Sequence, residues 1–386
     1  MIQSLKKNHL ALDASNIRHG GGITHLSQLI VHTNKNNLKF EKVYLWASKT
    51  TLSKIPDRPW LIKRSHFLLN GNLLFRTVWQ YFFLKKSLMS ESCSALFVLG
   101  GSVYTDFRPV INFHQNLLPF QPEEIKRYGL SFKFIKFHLL GFIQRLSMKN
   151  SDAIVFLSEF SKMVVQKRIG SLPKNTIVKH GVEPRFFHKP RNQKSIEKYN
   201  TENPYKIIYV SSIDFYKHQW NVVKAVSILR EEGYPLILEL YGNFNKNSLK
   251  KFNLSIDKYD QKRNFVKYFD EVDFLEIHKI YQQSDMSVFA SSCETFGQIV
   301  LESMASGIPI ACSNMSSMKE IIKDGCVYFD PLNPKEIAES IKRLILNPHL
   351  RESVATRAYI YAEEYSWQDT SSRTFKFLNE VAEENF

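Results

Sequence analysis

Apolar residues along this chain follow two alternating rhythms. Short, nearly unbroken apolar runs occur at residues 9–13, 43–47, 95–99, 110–113 and 153–157, and again at 206–211, 236–241, 266–270, 286–290, 309–312 and 326–330. Runs of this length, bounded by glycine and polar residues, predict buried strands. Between them apolar positions recur every three or four residues at 23–33, 75–88, 132–148, 274–282, 318–322, 335–346, 350–361 and 368–383, the period of helices with one buried face. A further helix is expected from Asn221 onward. Strands alternating with helices predict an α/β chain built on parallel sheets. The first strand runs into Gly20-Gly21-Gly22 and then a helix, the order that opens a Rossmann-like half. Gly21 and Gly22 would let backbone approach a phosphate or a sugar, and a plain tight turn explains them equally well.

Residues 291–310 organise the second half. Glu294 follows the strand at 286–290, and Phe296-Gly297 leads into a helix with Ile299, Val300 and Met304 apolar and Glu302 at its centre. Gly307 stops that helix and Pro309 forbids its continuation, so strand, loop, helix, turn and strand make a βαβ unit. In open parallel sheets ligands sit at the carboxyl ends of the strands, beside helix N-termini. The backbone N–H groups of Thr295, Phe296, Gly297 and Gln298 would there face an anion, with Gly297 allowing close approach. Glu294 and Glu302 stand eight positions apart, roughly 12 Å of rise if all helical. Carboxylates beside a phosphate site suit hydroxyl groups, through charge-assisted hydrogen bonds. Two solvated glutamates on an ordinary amphipathic helix would show the same spacing; the T-F-G inside it and the M-A-S-G-I-P-I after it set this stretch apart.

The stretch resembles the E-x7-E motif of the retaining glycosyltransferases of family 4. The resemblance implies the GT-B fold, with two Rossmann-like domains facing a deep interdomain cleft and a C-terminal helix crossing back to the first domain. It places an acceptor-binding domain at residues 1–188, a nucleotide-sugar-binding domain at 189–366 and the crossover helix at 367–386. By the same resemblance Glu294 binds the donor sugar and Glu302 the ribose, while His114 lines the reaction centre and Gly21 and Gly22 border the cleft. Lys217 matches a lysine that grips the diphosphate, and Gly242 ends a strand on the donor side. The family usually carries an arginine where this chain has Ser212, which leaves Lys217 alone as a point charge on the diphosphate. His180-Gly181-Val182-Glu183 likewise stands where Asn-Gly-Val-Asp is usual. The chain has no Asp-x-Asp run of the kind that metal-dependent transferases use, so the implied substrate is a nucleoside-diphosphate sugar with no metal or other cofactor. No residue stands out as a nucleophile, which fits the front-side displacement proposed for this fold.

Composition adds a surface to this picture. The 386 residues exceed one ordinary core, and the net charge of +15 is uneven. Residues 1–188 hold 27 Lys+Arg against 10 Asp+Glu, and residues 189–386 hold 25 against 27. An excess confined to one half suits an anionic membrane surface or nucleic acid. Nucleic-acid binding would leave Glu294 and Glu302 unexplained. The helix at 132–148, with Lys133, Lys136 and Arg145 among its polar positions, either lies on an anionic leaflet or packs on the sheet with a charged outer edge. Cys93, Cys293, Cys312 and Cys326 show no metal-ligand or redox spacing, so free thiols in a reducing cytoplasm are expected. No signal peptide or membrane-spanning stretch is expected.

Together these expectations describe a retaining hexosyltransferase of class EC 2.4, moving a hexose or deoxyhexose to a glycan acceptor, lipid-linked in this reading. It would serve bacterial surface-polysaccharide assembly, of O-antigen (lipopolysaccharide) or capsule, as a cytoplasmic protein peripheral on the inner leaflet of the inner membrane. An inactive GT-B interaction subunit and a nucleotide-sugar epimerase are the alternatives. Base and sugar depend on pocket shape near Tyr268 and Asp270, which spacing does not encode.

Overall fold

A computed structural model describes residues 8–18, 20–270 and 272–384. The chain forms two compact units. The first holds the chain up to Phe120, Ile135–Gly181 and the chain from Ser366; the second holds Gln121–Phe134 and Val182–Tyr365. The change of unit thus falls at Gly181/Val182, ahead of residue 188, and Gln121–Phe134 belongs to the second unit although the chain on either side of it belongs to the first.

Through the first half the elements run β1 (His9–Asp13), α1 (Gly21–Val31), β2 (Lys42–Trp46), α2 (Lys49–Leu52), β3 (Leu61–Arg64), α3 (Leu73–Trp79), a π-helical turn (Gln80–Leu84), α4 (Lys85–Ser90), β4 (Cys93–Val98), β5 (Val110–His114), α5 (Pro122–Lys126), α6 (Phe132–Lys149), β6 (Ala153–Phe156), α7 (Glu159–Ile169) and β7 (Lys174–Ile177). Among the described residues the strands form one parallel sheet in the order β3-β2-β1-β4-β5-β6-β7. Central β1 pairs Leu12 with Leu45 on one side and Phe97 on the other, and all five of its residues are buried. Strands covered on both faces read as continuous apolar runs, which is why the sequence exposes them. Strand β3 (LIKR) lies at the sheet edge, and only its first residue is buried, so no apolar run announces it.

Through the second half come β8 (Tyr205–Val210), α8 (Gln219–Glu231), β9 (Leu236–Tyr241), α9 (Lys246–Tyr259), β10 (Val266–Phe269), α10 (Ile277–Gln282), β11 (Met286–Phe289), α11 (Gln298–Ala305), β12 (Ile310–Ser313), α12 (Met318–Ile322), β13 (Val327–Phe329), α13 (Pro334–Leu346), α14 (Pro348–Ala362) and α15 (Trp367–Glu384). The second parallel sheet has the order β10-β9-β8-β11-β12-β13. Helix α9 escapes a reading by hydrophobic period because its buried stripe, Ser248, Phe252, Ser255 and Ile256, is half serine.

Helix α15 returns to the first unit. Thr370 Oγ1 donates to the Lys179 carbonyl at 2.8 Å, Ser371 Oγ to the Leu29 carbonyl at 3.2 Å, and Lys39 pairs with Glu383 at 2.7 Å. A Cβ at Gly181 would lie 2.1 Å from the Trp367 nitrogen, so only glycine admits this approach.

The orientation of α6 shows which of its faces is turned inward. Ile135, Leu139, Phe142 and Leu146 form one stripe, and they are 65%, 57%, 53% and 47% exposed. The residues turned inward are Gly141, Gln144, Ser147 and Met148. A Cβ at Gly141 would lie 2.4 Å from the Pro119 carbonyl oxygen, so the inward face is small because the backbone beneath is close. The apolar face of this helix therefore points away from the sheet, not onto it. Beside it, α3 and the π-helical turn expose Leu73, Leu74, Phe75, Tyr81 and Phe82. Both helical segments grip the same piece of chain. Gln80 Nε2 donates to the Ser102 carbonyl at 3.3 Å, and Ser147 Oγ accepts from Val103 N–H at 3.2 Å. Among the described residues no helix is long and apolar enough to cross a membrane.

Candidate functional site

In the second sheet the chain winds outward from β8 through β9 to β10, and from β11 through β12 to β13 in the other direction. The order reverses between β8 and β11, and at such a switch point the loops leaving the carboxyl ends part to form a crevice. The loop after β8 carries Ser212 and Lys217; the loop after β11 carries Glu294. They meet. Lys217 Nζ donates to Glu294 Oε1, with the ammonium also 5.0 Å from the centre of the Phe289 ring and 5.2 Å from that of Tyr216. Tyr209 ties the two loops beneath the pair, donating to the Lys217 carbonyl at 2.6 Å and accepting from Ala290 N–H at 3.2 Å.

The loop after β12 holds the Glu294 loop from the far side. Glu294 N–H donates to Ser316 Oγ at 3.0 Å, Ser316 Oγ donates to the Ser292 carbonyl at 2.7 Å, and Ser317 Oγ donates to the Phe296 carbonyl at 2.9 Å. Phe296 is buried, its ring edge-on to Tyr365 at 5.8 Å. Thr295 is half-buried beside it. Gly297 caps α11 with φ 97°, and a Cβ there would meet Met318 Cε at 2.5 Å, so both its conformation and its surroundings demand glycine. Helix α11 then starts at Gln298, directed by its positive end toward this loop.

The span from Glu294 to Glu302 is therefore loop followed by helix, helical only from Gln298 onward. The two carboxylates also differ in environment. Glu294 is partly exposed, whereas Glu302 is 5% exposed on the inner side of α11. Burial, with the Glu183 carboxylate nearby, pushes the Glu302 carboxyl up to about 8; Arg185 and a hydrogen bond with Gln298 oppose this without cancelling it. Burial thus favours the protonated form of Glu302.

Ser212 and Gly242 lie together at the ends of β8 and β9. Gly242 has φ 137°, and a Cβ there would stand 2.7 Å from the Ser211 carbonyl carbon and oxygen. Its carbonyl accepts from Tyr268 Oη at 2.9 Å, and the Ser212 carbonyl accepts from Gln219 Nε2 at 2.9 Å.

In the first unit His114 ends β5 and is buried edge-on to Phe120 and Phe156, at 5.0 and 5.8 Å. Burial pulls its imidazole down to about 3, and its Nε2 has no hydrogen-bond partner among the described residues. Gly21 and Gly22 are the first two residues of α1, not a turn ahead of it; the positive φ of 64° belongs to Gly20. A Cβ at Gly21 would meet open space, and one at Gly22 would lie 3.1 Å from Ile17 and 3.5 Å from Gln115.

Three supports escape a reading of the chain by motif. Ser316 and Ser317 position the Glu294 loop from a strand end 22 residues on. His218 takes the left-handed conformation, with φ 51°, and its Nε2 lies 2.8 Å from Ser292 Oγ; burial brings its imidazole down to about 3. Tyr128 Oη donates to Asp214 Oδ1 at 2.8 Å, which anchors Gln121–Phe134 beside the loop that carries Lys217. The serine pair at a strand end carries some signal in sequence; the other two are products of tertiary contact.

Residues 191–361 match the protein family described as "Glycosyl transferases group 1". O-antigen chain mannosyltransferase B of Escherichia coli is 23% identical over 235 residues, covering 59% of this chain and 60% of that protein. The match spans less than two thirds of that relative's length. Sucrose-phosphate synthase from Thermosynechococcus elongatus superposes with a TM-score of 0.77 at 13% identity, over 98% of this chain and all of that one. Anabaena HepE in complex with UDP and glucose gives 0.71 at 15% identity, over 97% and 99%. The fold is that of the GT-B glycosyltransferases.

Proposed function

We propose that this protein is a retaining glycosyltransferase that moves a hexose or deoxyhexose from a nucleoside-diphosphate sugar to an acceptor hydroxyl. The observation that carries this reading is the Lys217–Glu294 pair at the switch point of the second sheet, a cation and a hydroxyl-binding carboxylate held side by side next to a helix N-terminus. In the transfer the bond from the anomeric carbon to the diphosphate oxygen breaks and its electron pair goes to that oxygen. Lys217 and the N-terminal end of α11 stabilise the developing charge, which is the role a metal fills in other transferases. The acceptor oxygen bonds to the anomeric carbon from the same face, and its proton passes to the departing phosphate. Glu294 orients the sugar hydroxyls. Glu302, protonated, donates to one ribose oxygen and accepts from the neighbouring hydroxyl. By the family resemblance alone, His114 would serve the donor sugar and Gly21 and Gly22 the acceptor.

The name of the Escherichia coli relative supports an acceptor in bacterial surface-polysaccharide assembly, and the UDP and glucose held by HepE support a nucleotide-sugar donor. The outward apolar face of α6, with Lys133, Lys136, Arg145 and Lys149 along the same helix, supports a lipid-linked acceptor met at an anionic membrane surface. Release of free nucleoside diphosphate from a panel of nucleotide-sugars tests the reading. One donor should be consumed by the native chain and spared by Lys217→Ala. A second reading, a nucleotide-sugar-binding subunit without turnover, draws on Ser212, which puts no side-chain cation at that strand end. A donor that raises the melting temperature but is never cleaved, with any acceptor extract, would favour it.

A further inference from the structure

Beneath the C-terminal end of the α6 stripe lies a recess of about 290 Å³, close to the lower limit of small-molecule sites. Val103, Tyr104, Val110, Ile143 and Leu146 give it apolar walls. Ser147 also lines it, but its hydroxyl is occupied by the Val103 backbone, accepting from the N–H at 3.2 Å and lying 3.3 Å from the carbonyl. That part of the wall asks for no polar guest. Leu146 belongs both to the recess and to the outward stripe, which joins the helix face to the cavity, and Thr105 and Asn150 complete the lining.

Arg108 lines the same recess with its side chain 45% exposed. One of its terminal nitrogens donates to the Phe107 carbonyl at 2.7 Å, and its Nε stands 3.6 Å from Asp152, beyond a good hydrogen bond. The nearer Asp152 oxygen is already engaged by Val110 N–H at 2.7 Å. A guanidinium has five N–H donors, so Arg108 keeps donors for an incoming phosphate.

We infer that this recess seats one hydrocarbon chain of a phosphorylated lipid, with Arg108 on the phosphate. The inference rests on the membrane reading of α6 for the source of the lipid. A protein partner would have to bring an apolar plug and an acid to one place, and a second copy of this chain would set the cations of two α6 helices against each other. A bilayer with anionic head groups meets both the stripe and the charge.

The test uses the full chain with two soluble probes below their micelle-forming concentrations, dodecyl phosphate and farnesyl phosphate, titrated by calorimetry. The expected result is one equivalent per chain for at least one probe. Thr105→Trp or Ile143→Trp, which fill the recess from two different walls, should weaken it at least tenfold while the cooperative melt is retained. Arg108→Gln should weaken the phosphates but not dodecanol. Equal affinity for the two probes identifies ordinary membrane lipid as the source; a preference for farnesyl phosphate identifies an isoprenoid-linked acceptor. Binding of several equivalents that neither filled variant reduces would overturn the inference, since that is adsorption along the stripe. Leu139→Glu separates the two readings. It should abolish vesicle binding and leave probe binding intact, whereas vesicle binding that survives Leu139→Glu counts against the docking face alone.

Discussion

Lys217 and Glu294 form an ion pair across 77 residues of sequence, with side chains only 6% and 17% exposed. Neither charge would rest there unaccompanied, because removing one partner strands the other in a poorly solvated place. Lys217→Ala and Glu294→Ala should each cost about 3 kcal/mol of stability. The double replacement Lys217→Met/Glu294→Gln removes both charges and should recover most of that loss while recovering no transfer activity. Urea unfolding of the four proteins checks this, and a double variant no more stable than the singles would refute the pairing.

Glu302 makes stability depend on pH in an unusual sense. Its carboxyl is raised in the folded state to about 8 from the usual 4.5, so the folded chain holds this proton more tightly than the unfolded one. Stability from this group is fully present below the unfolded value, declines as pH rises between the two and levels off above the higher one. Melting temperatures of the native chain should show this decline, and Glu302→Gln should flatten it and overtake the native chain in mild alkali. Parallel curves for the two proteins would mean that the proton is not on Glu302.

Donor binding should be visible without an acceptor. A nucleoside diphosphate at about a hundred times its dissociation constant adds roughly 2.7 kcal/mol to the folded state. Thermal shift across bases and sugars should single out one donor, and Lys217→Ala should erase the shift. Chelation with EDTA should leave both the shift and the transfer rate unchanged, since Lys217 and α11 supply the positive charge.

His114 should act without changing its protonation near neutrality, because burial brings its imidazole down to about 3. His114→Ala should lower kcat by about a hundredfold, the loss typical of one preorganised hydrogen-bonding group, and leave the nucleotide shift in place. The pH profile of transfer by the native chain should lack an inflection near 6.5 that disappears in the variant.

The stripe on α6 should bind vesicles containing anionic lipid and ignore purely zwitterionic ones. Sedimentation should show Phe142→Glu remaining in the supernatant with its melting temperature intact, because Phe142 is over half exposed and little packing is lost. Raising salt should weaken the native interaction as the basic residues of the helix are screened.

Much of this architecture is legible in the chain itself. Buried parallel strands are apolar on both faces, so β1, β4, β8 and β11 appear as short apolar runs, and Gly297, Gly307 and Pro309 mark the ends of α11 by backbone rules alone. The Glu294 loop and the order of elements around it follow from the same local physics, whereas Lys217 is legible only through the family resemblance. Tertiary structure decided the rest. Identical glutamates eight positions apart acquire different surroundings, because Glu302 lies on the inner side of α11, where burial raises its carboxyl, and Glu294 lies at a loop edge beside Lys217. Ser316, Ser317 and Tyr128 gain their roles from chain segments that local sequence does not name. Above all, the apolar period of α6 predicts a helix but not the side it presents. A hydrophobic stripe is equally satisfied by a protein core or by another apolar phase, and only the close backbone beneath Gly141 and the polar inward pair Gln144 and Ser147 turn that stripe outward.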